Sequence, residues 1–422
     1  MTWLLTGLWA TAFATVPAVT SAAEPVRQSA AEALAQDAAN IAPRLGLTPE
    51  QALLRLRAQE ATVPVTDQLR VQYRARLAGL TIEHVPSMRI VVLLTGAELP
   101  ASFSVQAAGL TVPVEFRSGA VATREQVLSA IDLHRAKIYA VISGVRGIGH
   151  DPRDGTLLLM VRPSEQRASA AEIERIVATL TGVPVRVRLL QAKIEDLSAM
   201  GGGRVEGTTN GRRHYCTTGF VVRQGTQLGV TTAAHCADDM TYRGPDGEER
   251  RLTMVGSWGA AYRDIQVHAG AGPAEPLLYS NRERTLVRAV TGWRTRPQTR
   301  SGDIVCLRGE SSGYGCSLVE LTDFAPPGEL CGGLCSASWV TVAGPNCRHG
   351  DSGAPVFLGG TAYGTLKAGA FMTGRACAFY YYMSTDYLPE GWRIVTAPAV
   401  ASVSAARDPR GQAAGQRKAR GR

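Results

Sequence analysis

The sequence predicts two unlike units, an α/β region over residues 24–199 and an all-β unit over residues 200–397, and three observations carry that division. All eight cysteines, at 216, 236, 306, 316, 331, 335, 347 and 377, fall in the second half, and the first 215 residues hold none. From Gly201 onward, short β-rich runs punctuated by glycine recur at 218–222, 228–232, 251–255, 265–268, 285–290, 303–307, 317–321, 338–342, 354–357 and 362–366. Many short strands at regular spacing predict an antiparallel sandwich or barrel. Before Gly201 the texture is different, with helix-start signatures alternating with longer apolar runs.

In the first region, Thr48-Pro49-Glu50-Gln51 combines an N-cap, a first-turn proline and an N3 partner, which predicts a helix over 49–60. The same box recurs at Thr123-Arg124-Glu125-Gln126 and Ser169-Ala170-Ala171-Glu172. Apolar runs at 89–94, 138–143, 156–161 and 185–190 predict strands, and Asp151-Pro152-Arg153-Asp154-Gly155 predicts a hairpin turn. No convergent catalytic set lies in this region.

The ends read differently again. Residues 1–23 carry no charged side chain, with an apolar stretch from Trp3 to Val19 before Thr20-Ser21-Ala22-Ala23, the pattern of a secretory signal or, uncleaved, an anchor. Residues 398–422 form a tail in which Arg407, Arg410, Arg417, Lys418, Arg420 and Arg422 face only Asp408, so it holds much of the net charge of +9. With Ala, Gly, Ser and Gln interleaved, such a tail is expected to be disordered. The 422 residues, 45% hydrophobic and 19% charged, suit a globular chain of more than one domain. An even cysteine count confined to one unit suits disulfides made outside the cytoplasm.

The chemistry concentrates in three places. Gly350-Asp351-Ser352-Gly353 puts a serine between glycines just before an apolar run, where a loop tightens and a hydroxyl stands clear of the backbone. His235 follows the β-branched run Val230-Thr231-Thr232 and precedes Cys236. Asp264 opens the alternating run Ile265-Gln266-Val267, where a carboxylate can be buried against an imidazole N–H. A serine, a base and an orienting acid are what nucleophilic acyl transfer needs.

Together, Thr232-Ala233-Ala234-His235-Cys236 and Gly350-Asp351-Ser352-Gly353, in the order His, Asp, Ser, resemble the trypsin/chymotrypsin family of serine proteases over roughly residues 216–392. The short His–Asp spacing and the single Cys–Cys loop around the serine resemble its secreted bacterial branch, the streptogrisin and α-lytic protease group. A Gly-x-Ser-x-Gly hydrolase elbow fails, because Ala354 stands where its second glycine belongs.

The resemblance implies two antiparallel six-stranded β-barrels with His235 and Asp264 on the first and Ser352 on the second. It implies oxyanion donors at the Gly350 and Ser352 backbone N–H groups. It also implies bridges Cys216–Cys236, Cys306–Cys316 and Cys347–Cys377, which leaves Cys331 and Cys335 for each other; a metal at that last pair lacks further ligands. Residues 24–199 are similar in position to a pro-region that folds the protease and inhibits it until cleaved, with the junction near Met200. The stretch Gly364-Thr365-Leu366-Lys367-Ala368-Gly369 resembles the strand that pairs with substrate backbone, with Lys367 where the family has serine.

Leu366, Lys367, Ala368, Gly369 and His349 are the expected pocket residues. The absence of Asp and Glu from 339–348 and 357–379 argues against an Arg or Lys preference and toward an apolar side chain, while Arg348, His349 and Lys367 leave an acidic one open. The expectation is thus a secreted, monomeric serine endopeptidase with its own pro-region as chaperone and inhibitor. It needs no cofactor or metal, no specific nucleic acid, and no membrane once the leader is cleaved. An inactive protease-like binding module and an esterase with the same triad are the rival readings.

Overall fold

The computed structural model describes residues 25–163, 168–189, 193–196, 202–209, 211–244, 249–270, 275–372 and 376–397. The apolar leader, the junction at Met200 and the basic tail lie outside these residues. Among the described residues strands dominate, and the five α-helices lie in the first half.

Four of those helices begin where their capping residues say they should. The Thr48 hydroxyl accepts the N–H of Gln51, the Gln51 amide accepts the N–H of Thr48, and the helix Pro49–Ala61 follows. Thr123 and Gln126 start the helix Arg124–Val141 in the same way, and Ser169 caps Ala170–Thr181. A further box, Ser29 with Glu32, starts Ala30–Leu45, which ends at Gly46 in the left-handed region at φ 63°. The run 138–143, expected as a strand, is instead the end of the helix Arg124–Val141. Ile138 there is fully buried and lies on the same helical face as Val127 and Ile131, in one cluster with them.

The first half forms two sheets. Leu77–Glu83, Arg89–Thr95, Leu110–Ala120 and Phe103–Ala107 make one, in that spatial order. In the other, Val145–Asp151 and Thr156–Val161 form the expected hairpin, Val185–Leu189 adds a parallel strand, and Phe324–Ala325 from the second half completes the opposite edge.

The second half contains two eight-stranded sheets. One runs in the order Arg212–Thr217, Arg204–Thr209, Met240–Arg243, Glu249–Ala260, Arg263–Ala269, Gln227–Thr232, Val221–Gln224 and Arg393–Ile394. The other has the path Gly313–Leu318, Ile304–Gly309, Pro355–Leu358, Thr361–Phe371, Cys377–Ser384 and Val340–Ala343, and a bridge between Val319 and Val342 brings its two ends together. The strand expected at 317–321 lies earlier, because the Gly313 turn fixes a tight hairpin in which Cys306 faces Cys316. Two short segments join this sheet from outside its path. Gly292–Trp293 pairs in parallel with Thr361–Phe371, and Lys193–Asp196 pairs antiparallel with the same strand, Glu195 opposite Gly369 and Asp196 opposite Ala368.

The two halves share cores. Ile41, Ala52 and Leu56 lie in one buried cluster with Ile304, Leu307, Val340 and Tyr363, and Leu158 and Met160 in another with Phe324, Trp339 and Tyr381. Polar contacts cross as well: the fully buried Asp37 carboxylate accepts from Arg288 at 2.8 Å, and the Gln59 amide oxygen accepts the N–H of Ile304 at 2.8 Å. Burial of such groups is tolerable only because each is paired.

Candidate active site

Ser352 sits in the turn that feeds Pro355–Leu358. The turn demands its glycines: Gly350 has φ 116° and Gly353 φ 86°, and a Cβ at Gly353 would lie 2.2 Å from the Thr217 carbonyl oxygen. The serine side chain is out of contact with solvent. His235 comes from the turn that ends Gln227–Thr232, where the Cys216–Cys236 bridge ties it to the strand Arg212–Thr217. Asp264 is the second residue of Arg263–Ala269.

These three side chains, from segments 29 and 117 residues from His235, meet. His235 Nε2 is 2.8 Å from Ser352 Oγ, and Nδ1 is 2.7 Å from Asp264 Oδ2. The other carboxylate oxygen accepts the His235 backbone N–H at 3.1 Å, so Asp264 fixes both ring and backbone. Asp264 is only 2% exposed. Burial pushes its carboxyl up, but His235 and Lys367 beside it outweigh that and hold it well below the usual carboxylate range. A carboxylate that stays ionised can hold the imidazole with Nδ1 protonated and Nε2 free to take a proton.

The backbone N–H groups of Gly350 and Ser352, the expected oxyanion donors, have no acceptor among the described residues. Such donors are costly to leave unpaired unless a ligand oxygen completes them.

Asp351 shapes the same turn. Its carboxylate accepts N–H groups from Arg348, Ser311 and Ser312, yet complete burial outweighs them and pushes it up to about 6. Between its ordinary range and pH 6 the folded protein keeps a proton that the unfolded chain has released. Stability is therefore expected to fall as pH rises through that window, by about 3 kcal/mol in all, and to level off above it. Thermal melts across pH 4–7 check this, and Asp351→Asn should flatten the slope.

The expected pocket residues are distributed more widely than the sequence implies. Leu366 and Ala368 are fully buried, each in a different hydrophobic cluster. Gly369 packs on the Cys347–Cys377 bridge, where an added Cβ would meet Cys347 Sγ at 2.7 Å. His349 is exposed and its ring stacks on Phe371, centroids 4.5 Å apart, an aromatic partner that sequence reasoning missed. Lys367, expected beside the substrate, is only 3% exposed and its ammonium lies 3.3 Å from Asp264 Oδ2. The remaining cysteines pair as Cys306–Cys316 and Cys331–Cys335.

No protein-family profile matches the chain, and no curated protein does. Among solved structures, it is similar to protease A of Thermobifida fusca, at 24% identity over 47% of this chain and 98% of that one, with a TM-score of 0.38. A Nocardiopsis protease is 19% identical over 47% and 98%, with a TM-score of 0.37. A glutamic-acid-specific serine protease described as using a histidine triad in substrate binding is 17% identical over 44% and 94%, with a TM-score of 0.36. These neighbours, with a chymotrypsin of Cellulomonas bogoriensis, are bacterial serine proteases of the chymotrypsin type.

Proposed function

We propose that the chain is the precursor of a secreted serine endopeptidase whose catalytic unit, residues 200–397, is built from two antiparallel six-stranded barrels. One observation carries the activity: a single imidazole reaches both a buried carboxylate at 2.7 Å and a serine hydroxyl at 2.8 Å. In this reading His235 takes the Ser352 proton as the hydroxyl attacks a peptide carbonyl. The C–N bond then breaks as His235 returns that proton to the leaving amine, and water repeats the cycle on the acyl-enzyme. Asp264 stabilises the imidazolium, and the N–H groups of Gly350 and Ser352 hold the oxyanion. Labelling of Ser352 by a fluorophosphonate together with cleavage of casein tests the proposal. Labelling without peptide cleavage would favour an esterase, and no labelling a binding module.

The same reading takes residues 24–199 as a pro-region and residues 1–23 as its leader. Four disulfides support export to an oxidising compartment, and none of the described helices is long and apolar enough to cross a membrane. The strand Lys193–Asp196 supports inhibition before cleavage, because it fills the sheet edge that a substrate backbone would use. Its register also narrows the site of cleavage. Glu195 and Asp196 pair with Gly369 and Ala368, and the next position on that strand, Lys367, has its carbonyl 3.5 Å from Ser352 Oγ. A chain kept in this register is expected to be cut after Leu197. N-terminal sequencing of the processed protein should then begin at Ser198, two residues before the Met200 junction, and a start at any other residue would refute this register.

A further inference from the structure

The side chain of Lys367 goes where a pocket residue should not. In Thr361–Phe371 the pairing slips between Leu366, opposite Tyr382, and Ala368, opposite Tyr381, so Lys367 is the extra residue of a β-bulge. A bulge re-aims one side chain out of the strand's alternation. Here it aims an ammonium group 3.3 Å from Asp264 Oδ2, the oxygen that also takes His235 Nδ1 at 2.7 Å. The indole of Trp339, fully buried, lies 6.0 Å from the same nitrogen. A cation, a carboxylate and an imidazole are therefore in series.

Building on the protease reading, we propose that Lys367 is a positioning residue that acts through Asp264 to keep His235 unprotonated, and the enzyme active, at lower pH than the triad alone would allow. The physical basis is direct. When His235 accepts the serine proton it becomes a cation, and it does so beside a carboxylate already paired with a second cation. Lys367 both repels the imidazolium and shares the charge that would stabilise it, so both effects weaken the base. A serine at this position would give Oδ2 a neutral hydroxyl and neither effect.

Among the described residues, these charged and polar groups face this cluster. From Arg263–Ala269 comes Asp264 itself, with the neighbouring Arg263 guanidinium lying over the Tyr262 ring. Cys377–Ser384 contributes the Tyr381 phenol, whose ring meets Trp339 edge-on, and Met383, whose sulfur accepts the Asp264 N–H. From the serine loop, Asp351 is turned toward the N–H groups of Arg348, Ser311 and Ser312. The side chains of the strand at 193–196 lie outside the described residues.

The experiment is an NMR titration of the His235 ring in the uncut Ser352→Ala protein, with Lys367 and with Lys367→Met, beside pH–rate profiles of the corresponding active enzymes. Loss of the ammonium is expected to raise the His235 titration midpoint, and the acid limb of kcat/KM, by about one pH unit. Lys367→Arg should leave both near their original place. A limb and midpoint that stay put, or move to lower pH, overturn the proposal, as does a fall in rate without a change in profile. Should Lys367→Met not fold, Lys367→Ser replaces it; if neither neutral variant folds, Lys367 is a structural counter-ion and the proposal falls. The titration needs no turnover, so it separates failure of this inference from failure of the protease reading, which the fluorophosphonate label decides.

Discussion

Ser352→Ala is expected to lower peptide hydrolysis by about 10⁵-fold or more and to leave the chain as an uncut precursor. In serine proteases, removal of the nucleophile alone costs nearly as much as removal of the whole triad, because the three groups act as a unit. The residue that remains touches His235 Nε2 with a methyl group, which neither donates nor attacks. Two readouts follow from one variant. Casein turnover reports the chemistry, and intact mass of the purified protein reports whether residues 24–199 remain attached. Complete maturation of the variant would assign the cut to another protease and leave the triad to be judged on turnover alone.

The largest effect on stability is expected at Asp37, far from the triad in sequence. Its carboxylate is fully buried and holds Arg288 at 2.8 Å, the Gly359 N–H at 2.6 Å and the Tyr314 hydroxyl. Asp37→Ala strands the Arg288 guanidinium, itself 1% exposed, without its counter-charge. Breaking one side of a buried pair costs about 3–5 kcal/mol, whereas replacing both sides with apolar groups of similar size is close to neutral. Urea unfolding in the Ser352→Ala background should show that loss for Asp37→Ala and recovery of part of it in Asp37→Leu with Arg288→Met, since the Gly359 N–H and the Tyr314 hydroxyl still lose their acceptor. A loss below about 1 kcal/mol would mean that water reaches Arg288.

Local signals were the legible ones. Thr48, Thr123 and Ser169 each announce a helix within four residues, since a cap and its partner are neighbours in sequence. The box at Ser29 and Glu32 carries the same signature and went unread beside the apolar leader. Residues 138–143 misled because Ile138, Val141 and Ile142 are β-branched and apolar, which suits a buried strand as well as the end of an amphipathic helix. Strands Arg204–Thr209 and Arg212–Thr217 are largely polar and charged and so lack the apolar run that marks a strand in sequence. The serine, histidine and aspartate could be picked out by their neighbours, but only the fold brings His235 to Ser352. The direction of Lys367 was not legible at all: a one-residue slip reverses the face a side chain takes, and no residue near 367 marks it.

The strand Lys193–Asp196 has a kinetic consequence. In the proposed protease, a peptide arriving from solution competes with a segment carried on the same polypeptide, whose effective concentration is in the millimolar range for a short connection. Dilution cannot relieve that competition while the chain is whole. Once it is severed, release of the blocking segment becomes a dissociation that thinning the sample favours, so freshly cut enzyme should gain activity on dilution, whereas whole precursor should not.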